Sequence, residues 1–322
     1  MAEGLIRAYN LLQEVKSWSD VERLFLRGGG LSPNTYRAYL AASKDFYAFT
    51  EGLHPLQVRP ADIERRFDAM VAKRMAPKTI NLRIAGLRKF FASIRNVVPA
   101  YTSPFEIMGE KLTAKLRVKD KNDRTKKALN REEIRRLLAW LRSGALVKDY
   151  ACILFLLTSG LRASEMLSLR WSDLDLSEGT WSATFTGKGG RRTDQELYTP
   201  AVEAARAYFQ TAFHRDPVPD DFLFWTEAEG DIARPLTYHT LWHRVRQVGA
   251  KARELGLIRG SLEFTPHLFR RSYITQLYRA GMKLKALQKK SRHRSLDVLI
   301  AHYIDDSEPA TPYLAKILEG AA

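Results

Sequence analysis

The spacing of apolar residues, and the one place where that spacing changes, constrains this chain most. Segments opened by proline recur along it. In SPNTYRAYLAASKDFYAFTEG, Ser32 stands as an N-cap and Pro33 takes the first helical position, where a missing N–H costs nothing. That segment ends near Gly52. Pro60 opens RPADIERRFDAMVAKRM, with Ile63, Phe67 and Met70 at helical spacing. Pro77 opens APKTINLRIAGLRKFFASIRN, whose stripe is Ile80, Ile84, Leu87 and Phe91. Pro266 opens TPHLFRRSYITQLYRAG, with Tyr273, Ile274, Leu277 and Tyr278. Only in GTWSATFTGKGGRRTDQELYTP does the period drop to two: Trp181, Ala183 and Phe185 alternate, glycines turn the chain at 187–190, and the pattern resumes at Gln195–Tyr198. That is a hairpin. The pattern predicts a mainly α chain with a small antiparallel sheet.

A length of 322 residues suits about two domains. Residues 1–109 read as a helical domain. Residues 110–127, EKLTAKLRVKDKNDRTKK, carry eight Lys or Arg against three Asp or Glu and few large apolar side chains, so they read as a basic linker. Both a solvated loop and a strap along a phosphate backbone fit that composition. Residues 128–322 read as a second domain. It starts at ALNREEIRRLLAWL, where Asn130 and Glu133 have the spacing of a capping box. A helix through 150–158 precedes the hairpin; helices at 201–213, 238–255, 266–280, 283–290 and 295–303 follow it. A tail helix at 309–319 places Tyr313, Leu314, Ile317 and Leu318 on one face.

The net charge of +16 favours a polyanionic partner, nucleic acid before an anionic membrane. The single cysteine, Cys152, sits in the apolar stretch YACILFLLTSGL and reads as core. That stretch is shorter than the roughly 20 residues a membrane span needs. The N-terminus lacks the basic region and long apolar run of a signal peptide. The expectation is a cytoplasmic, DNA-associated protein without membrane contact.

Several clusters carry chemistry. In TSGLRASEM, Gly160 permits a tight turn, and Arg162 and Glu165 then lie three apart at a helix start. An apolar run before the pair and Leu167 after it argue that Arg162 is partly buried and needs anionic partners. Lys188 sits at the hairpin tip, either in an ordinary basic turn or as a mobile lysine reaching a phosphate or leaving oxygen. The loop is not a Walker A motif, since Ser182 stands where that motif requires glycine. His267 and Arg270 share one helix face. SRHRSLDVLIAHYIDDSEP supplies His293 and, ten residues later, Tyr303. His239 and His243 sit four apart but lack a Cys or acidic partner at ligand spacing, so no metal is expected there.

Taken singly, each of these has an ordinary structural reading. In combination and order they resemble the active site of the tyrosine recombinase (phage integrase) family, Cre/Xer-like, and the likeness extends over nearly the whole chain. TSGLRASEM is similar to the first-arginine motif, TGKGG to the hairpin lysine, and HLFRRSYITQLYRAG to the His-x-x-Arg helix. Residues 32–93 resemble the family's helical core-binding domain. The resemblance implies a SAM-like N-terminal domain followed by a mixed α+β catalytic domain, together the tyrosine recombinase fold. Two departures stand out: the family usually places the nucleophile nine residues after the second histidine, and a glycine often precedes that histidine, where this chain has Arg292.

What the resemblance implies is cleavage of a DNA strand by Tyr303, leaving a 3′-phosphotyrosine and a free 5′-hydroxyl. About a thousandth of an unperturbed phenol is ionised at neutral pH, so nearby cations must favour the phenolate. Arg162 and Arg270 would fork onto non-bridging phosphate oxygens. His267 would bond the same phosphate or take the phenol proton, Lys188 would protonate the departing oxygen, His293 would donate in support, and Glu165 would anchor its neighbours. No ATP, metal or other cofactor is implied, because guanidinium groups supply the charge. The helix at 238–255 resembles the family's major-groove reader, with His243, Arg244, Arg246 and Lys251 as candidate contacts; Lys78, Asn81, Arg83 and Arg88 are candidates in the first domain. The implied partner is double-stranded DNA with paired inverted half-sites, bound by a homotetramer that exchanges tail helices. A type IB-like topoisomerase and a catalytically silent DNA-binding protein on the same fold remain as alternatives.

Overall fold

The structure is a computed structural model. It describes residues 17–27, 30–95, 98–118, 128–144, 146–177, 179–187, 192–226, 234–293 and 295–303, with only the backbone at 26–27, 298 and 301–303. The described residues up to 118 form one compact unit, and those from 128 onward form a second. Among them no helix is long and apolar enough to cross a membrane.

The first unit contains α1 (Trp18–Arg27), α2 (Pro33–Phe49), α3 (Pro60–Ala72), α4 (Pro77–Ile94) and α5 (Pro104–Lys115). Ser32 caps α2 through the N–H of Thr35. The predicted apolar faces converge on one core: Phe46 from α2, Ile63 and Met70 from α3, and Ile80, Leu87, Phe90 and Phe91 from α4. Trp18 of α1 stacks on Phe90, with centroids 5.3 Å apart, and its indole N–H donates to the carbonyl of Leu53 at 2.7 Å. A polar tip on an apolar body is thus satisfied at the core's edge.

The stretch expected to begin the linker belongs partly to this unit. α5 runs through 104–115 with a break at Gly109, where φ is 72°. Leu116 is buried in the core, and the Asn81 amide grips Val118 from both sides: it donates to the carbonyl at 2.9 Å and accepts the N–H at 3.0 Å. Two apolar side chains, Leu116 in the core and Val118 packed against it, anchor the start of a segment whose composition reads as solvated. Residues 119–127, the rest of the expected linker, lie outside the described residues.

The second unit is built around α7 (Val147–Ser159), in which every residue from Ala151 to Leu157 is buried. A helix apolar all round is buried all round. Packed against it are α6 (Arg131–Ser143), α9 (Thr199–Phe213), α10 (Tyr238–Glu254), α11 (Pro266–Arg279) and strand β3. The sheet has the order β1-β2-β3, all antiparallel: β1 (Leu174–Ser177), β2 (Thr180–Thr186) and β3 (Arg192–Leu197). The expected hairpin pairs Phe185 with Thr193 and Thr186 with Arg192. A two-stranded ladder, β4 (Trp225–Thr226) with β5 (Arg234–Pro235), was not foreseen. Short α8 (Ala163–Ser168) follows α7, and α12 (Leu284–Ser291) and α13 (Leu296–Tyr303) close the described chain. α13 lies on α11 and α12, with Ile274, Leu287 and Leu299 fully buried between them.

Candidate active site

The site is organised by the end of α7. Gly160 terminates that helix in the left-handed region, at φ 61° and ψ 14°. A Cβ built there would fall 2.3 Å from the ring of Tyr273 on α11. Glycine is therefore required twice, for the backbone conformation and for the approach of α11. Two residues on, Arg162 becomes the N-cap of α8, and Glu165 occupies the third helical position. Glu165 bends back: one carboxylate oxygen accepts the Arg162 N–H at 2.8 Å, and the other accepts its guanidinium at 2.6 Å. The carboxylate is buried, whereas the Arg162 side chain keeps 35% of its surface exposed. Arg162 is thus oriented from below while its upper edge faces solvent.

Arg270, expected to fork onto a phosphate, is 1% exposed, and its two terminal nitrogens donate to the carbonyls of Gly160 and Ser291. Arg270 ties the end of α7 to the end of α12. A guanidinium carries donors in a fixed fork, and two carbonyl acceptors suit it. His267 lies one turn earlier on α11 and is exposed.

His293 follows α12, and its Nδ1 lies 2.8 Å from Ser291 Oγ. The turn that presents it is a Schellman motif: the N–H of His293 reaches the carbonyl of Gln288, and the N–H of Arg292 reaches that of Lys289. Arg292 occupies the left-handed position of that motif, at φ 55°. Glycine normally stands there, and another residue gives up about 1–2 kcal/mol. The Arg292 side chain turns inward. It donates at 2.9 Å to the Glu165 oxygen that also accepts the Arg162 N–H, at 2.9 Å to Gln195 Oε1 on β3 and at 3.4 Å to the Gly160 carbonyl, and it lies 4.9 Å from the centroid of the Phe185 ring. Burial pulls its pKa below the ordinary value; Glu165 opposes that shift and Arg162 adds to it. The guanidinium stays charged regardless. Sequence reasoning missed Arg292, Gln195 and Ser291. The one signal for Arg292 was the absent glycine before His293.

Among the described residues, then, three guanidinium groups and one buried carboxylate gather at Gly160 beside the His293 turn. Tyr273 is half-buried against this cluster, and that burial raises its phenol pKa. The Tyr303 backbone ends α13, the helix seated on α11 and α12; its side chain, Lys188 and the 309–319 tail lie outside the described residues.

The expected DNA contacts divide. On α10, His239, His243, Arg246 and Lys251 are exposed, with Arg246 4.8 Å from the centroid of Trp242 and His243 Nε2 3.1 Å from His239 Nε2. Lys251 pairs with Glu254 at 2.9 Å on the surface. Arg244 is instead held by Asp149 of α7 at 2.9 Å, which fastens α10 to the core. On α4, Lys78 and Arg88 are exposed, whereas Arg83 pairs with Asp45 at 2.9 Å and Asn81 clamps Val118.

Comparison with known proteins agrees with this geometry. Residues 127–309 match the phage integrase family, and residues 21–97 match the phage integrase N-terminal SAM-like domain. Tyrosine recombinase XerA of Thermococcus onnurineus is 28% identical over 291 residues, covering 89% of this chain and 87% of the relative. Tyrosine recombinase XerC of Chlorobaculum parvum is 26% identical over 302 residues, covering 83% of each. The fold is shared with the Tn1549 transposon integrase in complex with transposon right end DNA, at 20% identity, TM-score 0.65, and 94% and 99% coverage of this chain and that one. It is shared also with the XerH site-specific recombinase bound to palindromic difH substrate, at 20% identity, TM-score 0.66, and 99% and 90% coverage. The chain belongs to the phage integrase family and is a tyrosine recombinase.

Proposed function

We propose that this recombinase cleaves and rejoins DNA at specific sites through a 3′-phosphotyrosine formed by Tyr303. The observation that carries the reading is the convergence of Arg162, Glu165, Arg270 and the His293 turn on Gly160, with α13 packed on the helix that bears Arg270. Arg162 is the direct phosphate ligand: its guanidinium is partly exposed and preoriented, so binding costs little reorganisation. Arg270 acts from beneath, fixing two carbonyls and adding positive charge. His267 and His293 bond the phosphate or handle the phenol proton, and Lys188 protonates the departing 5′-oxygen.

The phosphodiester is exchanged for an aryl phosphodiester, so its energy is conserved and no ATP is required. Guanidinium charge stabilises the phosphorane without a metal. Residues up to 118 serve as the core-binding unit, 119–127 as a basic linker, and residues from 128 as the catalytic unit. Lys78 and Arg88 on α4 and His243, Arg246 and Lys251 on α10 contact DNA. Four chains assemble on paired inverted half-sites, in the cytoplasm, by exchange of the 309–319 tail. Incubation with a nicked duplex in EDTA tests the core of this reading. A covalent protein–DNA adduct is expected. Cleavage that leaves no adduct, or that requires added metal, overturns it.

A further inference from the structure

Arg292 stands where a helix C-terminus prefers glycine, yet its side chain is only 13% exposed within the site. A surface arginine in a basic run would extend into water. This one reaches Glu165, Gln195 and the Gly160 carbonyl at once, and lies against Phe185. Those partners belong to α8, β3 and the end of α7, so one side chain joins three elements to the turn carrying His293. β3 also leads from the hairpin tip that carries Lys188, as the chain order dictates.

Glu165 is shared. Arg162 takes one oxygen, and Arg292 takes the other, together with the Arg162 N–H. Without Arg292 the carboxylate keeps its two bonds to Arg162 but loses its tie to β3 and to the His293 turn, and the Arg162–Glu165 pair is held from its own helix alone. Gln195 Oε1 would lose its charged donor, and the surface pair of Lys290 with Glu196 would be left to tie β3 to α12.

We infer that Arg292 is a positioning residue: it locks Glu165, and through it the phosphate-binding guanidinium of Arg162, to β3 and to the His293 turn. The inference rests on the recombinase reading above. A purely structural role for Arg292, filling a left-handed position, makes a different prediction, since glycine fills that position better.

The test compares wild type with Arg292→Gly and Arg292→Lys in single-turnover cleavage of a nicked duplex at saturating DNA. Arg292→Gly should lower the rate of adduct formation by at least tenfold while leaving DNA affinity within about threefold, because the charge-assisted hydrogen bonds it removes serve the transition state and not binding. Arg292→Lys should recover part of the rate, because an ammonium reaches Glu165 but cannot also fork to Gln195. A rate for Arg292→Gly within threefold of wild type overturns the inference while leaving the recombinase reading intact. Failure of wild type itself to form an adduct sinks that reading instead. Unfolding in urea then still decides the positioning claim through a cycle of Arg292→Gly with Glu165→Gln. Non-additive effects support the shared carboxylate, and additive effects overturn it.

Discussion

Glu165 holds Arg162 at both ends, by the backbone N–H at 2.8 Å and by the guanidinium at 2.6 Å. One buried carboxylate thereby fixes where a helix begins and where its first cation points. A substrate phosphate approaching Arg162 meets a donor whose orientation is already set, and the entropy of arranging it has been spent on folding.

Replacing Glu165 by Gln should therefore hurt cleavage more than binding. A hydrogen bond to a charged group is worth about 1.5–3 kcal/mol, which corresponds to about 10- to 150-fold in rate. Adduct formation at saturating DNA should fall within that range, with the dissociation constant for duplex changed by less than about threefold. Rapid-quench assays beside fluorescence anisotropy read the two quantities separately.

Arg270→Met should damage the fold as well as the chemistry. The substitution removes the Arg270 bonds to the carbonyls of Gly160 and Ser291, both in the core of the site. Leaving the Ser291 carbonyl without that donor, and the Gly160 carbonyl with only the long Arg292 bond, costs about 1–3 kcal/mol. Urea denaturation should show that loss as a lower midpoint at unchanged slope. A role confined to phosphate contact predicts wild-type stability.

Acid should weaken the second unit through Glu133. Burial raises its pKa, but hydrogen bonds from Arg259 and the N–H of Asn130 outweigh that and hold the carboxyl below the ordinary carboxylate range. Its folded value lies under its unfolded value. The stabilisation is therefore full above about pH 4.3, the ordinary glutamate value, and is lost as pH falls through the folded value. Glu133→Gln should lower stability at neutral pH and flatten the acid limb of a urea-midpoint profile taken between about pH 3 and 6.

Much of this was legible in the sequence. Proline-opened segments with helical spacing marked α2, α3, α4 and α11, and the change of period marked the hairpin, because these signals are local. The Asn130–Glu133 capping box and the Arg162–Glu165 pair were legible for the same reason, each spanning three residues. What escaped depends on contacts distant in the chain. Arg270 finds its carbonyl acceptors 110 and 21 residues away, beyond the reach of any spacing rule. Arg292 lies in KKSRHR, a run whose charge reads as solvated, yet it points at residues 97 and 127 positions earlier. Asn81, Arg83 and Arg244 look like DNA contacts by type and are engaged within their own units.

Tyr303 is the proposed nucleophile on which every catalytic role above depends. The decisive measurement is peptide mapping of the protein–DNA adduct trapped on a nicked duplex, for wild type beside Tyr303→Phe. The prediction is a phosphotyrosyl link on the peptide containing Tyr303, and no adduct from Tyr303→Phe although it binds the duplex with wild-type affinity. An adduct formed by Tyr303→Phe, or a link mapped to Tyr273 or any other residue, contradicts it.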